Sequence, residues 1–228
     1  MEPTEENIRA FEDLHRLRIQ ALADRPGVPE AIRGLLPEVA GRHVLHLMCG
    51  TGEASSELAE LGALVTGVDV WADALAEARE RYPNVAFVHS DPHELPLQLQ
   101  RRRIDLVYAG GGILRYVHDL GAVVAGANAA LRPGGNLLLW DTHPALECLE
   151  LTSLRWREDY FAGTIPIGLR LAPERTVSLW RLGEVVSAVA AGGFVVHRLE
   201  EFPSLSAVRR HDPRVPGEFA LLAVKPAG

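Results

Sequence analysis

The sequence predicts an α/β fold of the doubly wound type, built on a mostly parallel sheet, and three observations carry that prediction. Short apolar runs alternate with stretches of helical period, the pattern of repeated strand and crossover helix. The first of these runs, residues 43–47, leads directly into Gly50-Thr51-Gly52, a turn tight enough to open a helix whose first amides lack intrahelical partners. The second, residues 64–69, ends in a carboxylate, Asp69. Adjacent parallel strands end side by side, so the fold brings Asp69 next to the glycine turn, placed to accept both hydroxyls of a ribose.

Size and composition agree with that class. At 228 residues the chain is long enough for one large domain with a full core. Hydrophobic residues make up 47% and charged residues 23%, ordinary values for a globular protein. The net charge of −7 argues against a general nucleic-acid binder, which needs a basic face for phosphates. Arg101-Arg102-Arg103 is too short a run to reverse this and reads as a solvated patch. The two cysteines, Cys49 and Cys148, give neither a disulfide framework nor metal-ligand spacing. The acidic start is no signal peptide, and no apolar run approaches the roughly 20 residues that span a bilayer. A cytoplasmic protein with no nucleic-acid or membrane partner is the expectation.

Taken in order, residues 4–24 have helical spacing of Ile8, Phe11, Leu14, Leu17 and Leu22 after Thr4 as N-cap, and Pro26, Gly27 and Pro29 end the run. A short helix over 29–36 is expected next. After the glycine turn a helix over 54–61 closes at Gly62. Trp71, Ala74, Leu75, Ala78 and Tyr82 mark one face of another helix, which Pro83 stops. Residues 85–88 form the third strand and run into His89-Ser90-Asp91. Residues 104–109 form the fourth and open into Gly110-Gly111-Gly112. A helix over 120–131 ends at Arg132-Pro133-Gly134-Gly135, and residues 136–140 are the fifth strand. A stretch of about 35 residues without clear period follows, with short β-like pieces over 156–164 and 165–171. A helix over 182–191 and strands over 194–199 and 219–225, paired antiparallel, complete the chain.

Four of these features in order resemble the class I S-adenosylmethionine-dependent methyltransferases. They are Cys49-Gly-Thr-Gly52 after strand one, Gly67-Val-Asp69 ending strand two, Ser90-Asp91 ending strand three, and Leu131-Arg-Pro-Gly-Gly135 before strand five. The resemblance covers residues 40–143, and the final helix and hairpin are similar to the family's ending. It implies a Rossmann-like, mostly parallel seven-stranded sheet with a C-terminal antiparallel hairpin. The implied organisation is one domain over 1–228: a helical cap (1–40), a cofactor-binding core (41–143), a variable insertion (144–178), and a closing helix and hairpin (179–228). It also implies S-adenosyl-L-methionine as cofactor. Gly50 and Gly52 would lie against its methionine and ribose part, Asp69 would bind the ribose hydroxyls, Asp91 would accept from the adenine amino group, and Val70 would be a further cofactor contact. Pro92 and His93 would pass beside the adenine, and Ala109 and Gly110 would supply backbone near the methionine. Two positions depart from the family. His46 stands where an acidic residue helps hold the cofactor ammonium, and Met48 where glycine is usual. His46 reads either as a contact to the cofactor or as a core histidine with its nitrogens satisfied. Met48 crowds the turn but is flexible.

Methyl transfer from a sulfonium is an in-line displacement that needs a base only if the accepting atom loses a proton. Candidates are His143 after strand five and, as weaker ones, Tyr116 and His118 after strand four; each also reads as a structural residue. The glycine triplet lacks the Lys-Ser/Thr of a phosphate loop. A small-molecule acceptor and a monomer or homodimer are expected, with acceptor choice in residues 144–178 and the N-terminal helices. The rival readings are a non-catalytic binder of S-adenosylmethionine and an NAD-dependent oxidoreductase. The latter lacks the third glycine or alanine of its fingerprint in Gly50-Thr-Gly-Glu-Ala-Ser55.

Overall fold

The structure, a computed structural model, describes residues 27–100, 103–150, 153–166, 176–203 and 214–227. The helix expected over 4–24 lies outside them. The main sheet has seven strands in the order β10-β11-β5-β4-β1-β2-β3. These are β1 (His43–Leu47), β2 (Leu64–Asp69), β3 (Ala86–His89), β4 (Ile104–Gly110), β5 (Leu131–Thr142), β10 (Val195–Phe202) and β11 (Glu218–Val224). The first five run parallel, while β11 is antiparallel to both β5 and β10. The parallel sheet and the antiparallel ending agree with the sequence expectation.

Helices cover both faces. They are α1 (Glu30–Arg33), α2 (Glu53–Glu60), α3 (Ala72–Arg81), α4 (Leu97–Gln100), α5 (Leu120–Ala130), α6 (Pro144–Glu147) and α7 (Leu182–Ala191). Alternate residues of one strand serve the two layers, because successive side chains point to opposite faces. Leu45 and Leu47 of β1 join Val107, Ala109 and Leu137 in a core closed by Val123 and Ala127 of α5 and Val185 and Val189 of α7. Val44, with Leu106, Tyr108 and Leu138, packs on the other face against Ile32 and Leu58. The chain turns from α2 into β2 through Gly62, whose φ of 89° takes the left-handed conformation a helix end needs.

Several boundaries differ from the sequence reading. The helix expected over 29–36 is a single turn, α1. β5 starts at Leu131 and takes in Arg132-Pro133-Gly134-Gly135, because the pairing with β4 jumps from Ile104–Leu131 to Leu106–Asn136 across an irregularity. Lys225 holds that irregularity: the Gly134 amide donates to its carbonyl at 2.8 Å, and its own amide donates to the Gly135 carbonyl at 2.9 Å. The β-like segment expected over 156–164 is strand only at its ends. Here the chain forms two ribbons, β6 (Leu149–Glu150) with β7 (Arg155–Trp156) and β8 (Thr164–Pro166) with β9 (Thr176–Ser178). Residues 167–171 of the second expected piece lie outside the described residues. β10 continues past 199 to Phe202.

Candidate functional site

The turn after β1 is built around one carboxylate. Oδ2 of Asp69 accepts the amide of Gly50 at 2.7 Å, and Oδ1 accepts the amide of Trp71 at 2.9 Å. Asp69 is 1% exposed, and burial raises its pKa against the pull of those amides. Each oxygen takes one of these amides and keeps acceptor capacity for a ligand hydroxyl. Gly50 and Gly52 have φ of 54° and 88°, so both need the left-handed freedom of glycine. A Cβ at Gly52 would lie 2.9 Å from the Phe87 ring and 3.0 Å from that of Tyr82. Gly52 is therefore also required by the packing of the turn on β3 and α3, a reason distinct from the ligand approach inferred from sequence.

The two departures from the family pattern have physical accounts. Met48 has φ of 51°, a strained conformation for a side chain, which explains why glycine suits the position. Its side chain is half-buried and packs against the larger core. His46 is 3% exposed, its Nδ1 lies 2.7 Å from Ser55 Oγ, and its ring meets Tyr108 edge-on at 5.0 Å. Burial lowers its pKa to about 3, so it is neutral near pH 7. Its ring is buried and neutral, with Nδ1 paired and no hydrogen-bond partner for Nε2 among the described residues.

Along the same edge, the amide of Ser90 donates to the Asp69 carbonyl at 3.0 Å, joining the ends of β2 and β3. Asp91 and buried Pro92 follow directly, and the carbonyl of half-buried Val70 lies 2.8 Å from His89 Nε2. Asp91 Oδ1 accepts from the backbone and ring of His93 at 2.8 and 2.6 Å, and the His93 bond lowers its pKa.

At the end of β4, Ala109 is buried, and a Cβ on Gly110 would run into the indole of Trp140. That indole donates to the Tyr108 hydroxyl at 2.6 Å. Gly110 is thus required by a neighbouring side chain, and Trp140 is a site residue that sequence reasoning missed; its only signal was an aromatic at the end of strand five. Asp141, 2% exposed, accepts the Leu114 amide at 2.8 Å and fixes the loop after β4.

The three base candidates are dispersed. Tyr116 packs on Cys148, Ile165, Val177 and Leu179 under the ribbons. His118 is exposed and stacks on His93 with centroids 3.9 Å apart. His143 caps α6: its Nδ1 accepts the Ala145 amide at 3.1 Å, so Nε2 carries the proton and faces Glu201 Oε1 at 3.0 Å. Burial lowers the His143 pKa, with Glu201 opposing.

These features fit a nucleoside with an amino-acid tail. Asp69 keeps acceptor capacity beside the glycine turn, and one oxygen of Asp91 accepts no hydrogen bond among the described residues. The first turn of α2 has no side-chain cap. The fold is that of the class I S-adenosylmethionine-dependent methyltransferases. Residues 44–135 match the family model described as a methyltransferase domain, and the comparisons indicate S-adenosylmethionine as the cofactor. An uncharacterised methyltransferase of Synechocystis sp. is 30% identical over 138 residues, which cover 60% of this chain and 58% of that protein. A trans-aconitate 2-methyltransferase of Paracidovorax citrulli is 37% identical over 113 residues, covering 46% and 40%. The chain thus spans between two-fifths and three-fifths of the length of these two relatives. The crystal structure of an S-adenosylmethionine-dependent methyltransferase from Mesorhizobium loti superposes with a TM-score of 0.71 at 26% identity, covering 88% of this chain and 99% of that one.

Proposed function

We propose that the protein transfers a methyl group from S-adenosyl-L-methionine to a small-molecule acceptor by in-line displacement. The observation that carries this reading is the 2.7 Å bond from the Gly50 amide to Asp69, which joins the turn after β1 to the acid ending β2 at the carboxyl edge of the sheet. In this reading Asp69 and Val70 hold the ribose, Asp91 and Pro92 the adenine, and Gly50, Gly52, Ala109 and Gly110 border the methionine. His46 and Met48 act from behind that border, one as a neutral support and the other as packing.

The bound cofactor supplies an activated methyl group and its leaving group. The protein's part is to align the acceptor within roughly 3–3.5 Å, which alone contributes several kcal/mol. Where the acceptor loses a proton on attack, the base is drawn from His118, His143 and Tyr116. His118 is open to solvent, and burial and the neighbouring His93 lower its pKa, which keeps it neutral and able to accept. The acidic net charge and the relative named for trans-aconitate support a small acceptor rather than nucleic acid. Among the described residues no helix is long and apolar enough to cross a membrane.

Calorimetry tests the reading. Saturable binding of S-adenosylhomocysteine is expected, with NADH giving no heat. Binding of NADH alone would replace it with the oxidoreductase reading. Binding of S-adenosylhomocysteine without methyl transfer across a broad acceptor panel would establish a non-catalytic binder.

A further inference from the structure

We propose that His93 is a positioning residue for adenine recognition: its ring and backbone N–H groups together hold one oxygen of Asp91 and leave the other turned toward the adenine amino group. The proposal rests on the reading of Asp91 given above and adds a device that the motif does not contain. A backbone amide two residues on, at 2.8 Å, is the ordinary turn contact of an aspartate. The imidazole adds a second, shorter bond at 2.6 Å to the same Oδ1. With two donors on one oxygen, the carboxylate has little freedom to rotate. Oδ2 accepts no hydrogen bond among the described residues, and the Asp91 side chain is 35% exposed.

The tautomer follows from the other end of the ring. The backbone amide of His118 approaches His93 Nε2 at 3.3 Å, and an amide can only donate. Nε2 is therefore the acceptor, and the hydrogen sits on Nδ1, where it points at Asp91. The His118 ring lies over the His93 ring at 3.9 Å, tilted by 32°. His93 is thus held at both nitrogens and on one face, and it couples the loop after β3 to the loop after β4.

The experiment is calorimetric binding of S-adenosylhomocysteine and its inosine analogue, in which the adenine amino group is replaced by oxygen. Wild type, Asp91→Asn, His93→Ala and His93→Asn are compared. Asp91→Asn and His93→Ala are each expected to weaken S-adenosylhomocysteine by about 10-fold and to lose most of the preference over the inosine analogue. His93→Asn keeps an N–H donor for Asp91 and is expected to bind within about 3-fold of wild type. Wild-type binding by Asp91→Asn would overturn the adenine reading itself. Weak binding by Asp91→Asn with unchanged affinity and preference in His93→Ala would overturn the role of His93 alone. If His93→Ala does not fold, His93→Asn decides: weak binding, or loss of the preference over the inosine analogue, overturns the proposal.

Discussion

Between β1 and β3 the carboxyl edge of the sheet is held by backbone groups gathered on two carboxylates. Asp69 takes the amides of Gly50 and Trp71, and Asp91 takes the amide of His93. Between β4 and β11 the same edge is tied by side chains that reach across the chain. Arg115 pairs with Glu147, Asp141 takes the Leu114 amide, the Trp180 indole donates to the Val117 carbonyl at 2.7 Å, and His143 faces Glu201. The two carboxylates of the first half take amides 2 to 19 positions away, whereas the Asp141 and Trp180 ties span 27 and 63. A site half made of local backbone geometry tolerates few residue types and therefore shows in the sequence. A half made of distant side-chain pairs can be rebuilt with other pairs and leaves no signature, which suits the region where acceptors differ.

The largest expected effect lies in the first half. Asp69→Ala leaves two buried amides without their acceptor, at about 1–3 kcal/mol each, so denaturant unfolding should show a loss of roughly 2–6 kcal/mol. S-adenosylhomocysteine affinity should fall with it. Wild-type stability in this variant would break the comparison, since the turn would then not depend on its carboxylate.

His46 comes next, through pH. Its folded pKa of about 3 lies below the ordinary 6.5, so the unfolded chain binds the extra proton between those values. The stability His46 contributes is complete above about pH 6.5 and is lost as pH falls toward about 3, by up to a few kcal/mol. His46→Asn, which does not titrate, should flatten the acid limb of a stability-against-pH curve; an unchanged limb would show that His46 is not buried neutral.

The smallest effect is expected in the second half. Glu147→Gln weakens the tie to Arg115 and should cost about 1–2 kcal/mol of stability, because both partners are only partly desolvated. Cofactor affinity should stay within about 2-fold, a difference that binding and melting curves resolve. A large loss of S-adenosylhomocysteine binding would show that the two halves are coupled and sharpen the comparison into one about communication.

Much of the cofactor half was legible for a physical reason. Gly50 and Gly52 are read from sequence because positive φ excludes most side chains, and Asp69 because a strand's last residue must meet its neighbour's. His143, Tyr116 and His118 were chosen by chemistry and strand order alone, and the tertiary structure gives each a different set of partners. Trp140 was missed because its contact with Gly110 arises across β4 and β5, where register, and not spacing, sets the neighbours. The pairing of His93 with Asp91 was equally hidden, since a histidine two residues after an aspartate has many rotamers until another loop takes its far nitrogen.

Local sequence alone determined the alternation of strand and helix, the turn after β1 and the acid ending β2, because short-range sterics and periodicity decide them within a few residues. Only the tertiary structure decided that Gly52 serves Phe87 and Tyr82, that His46 is neutral, and that the base candidates stand apart. Burial and the direction of a side chain depend on atoms brought together from distant parts of the chain, and no local pattern encodes them.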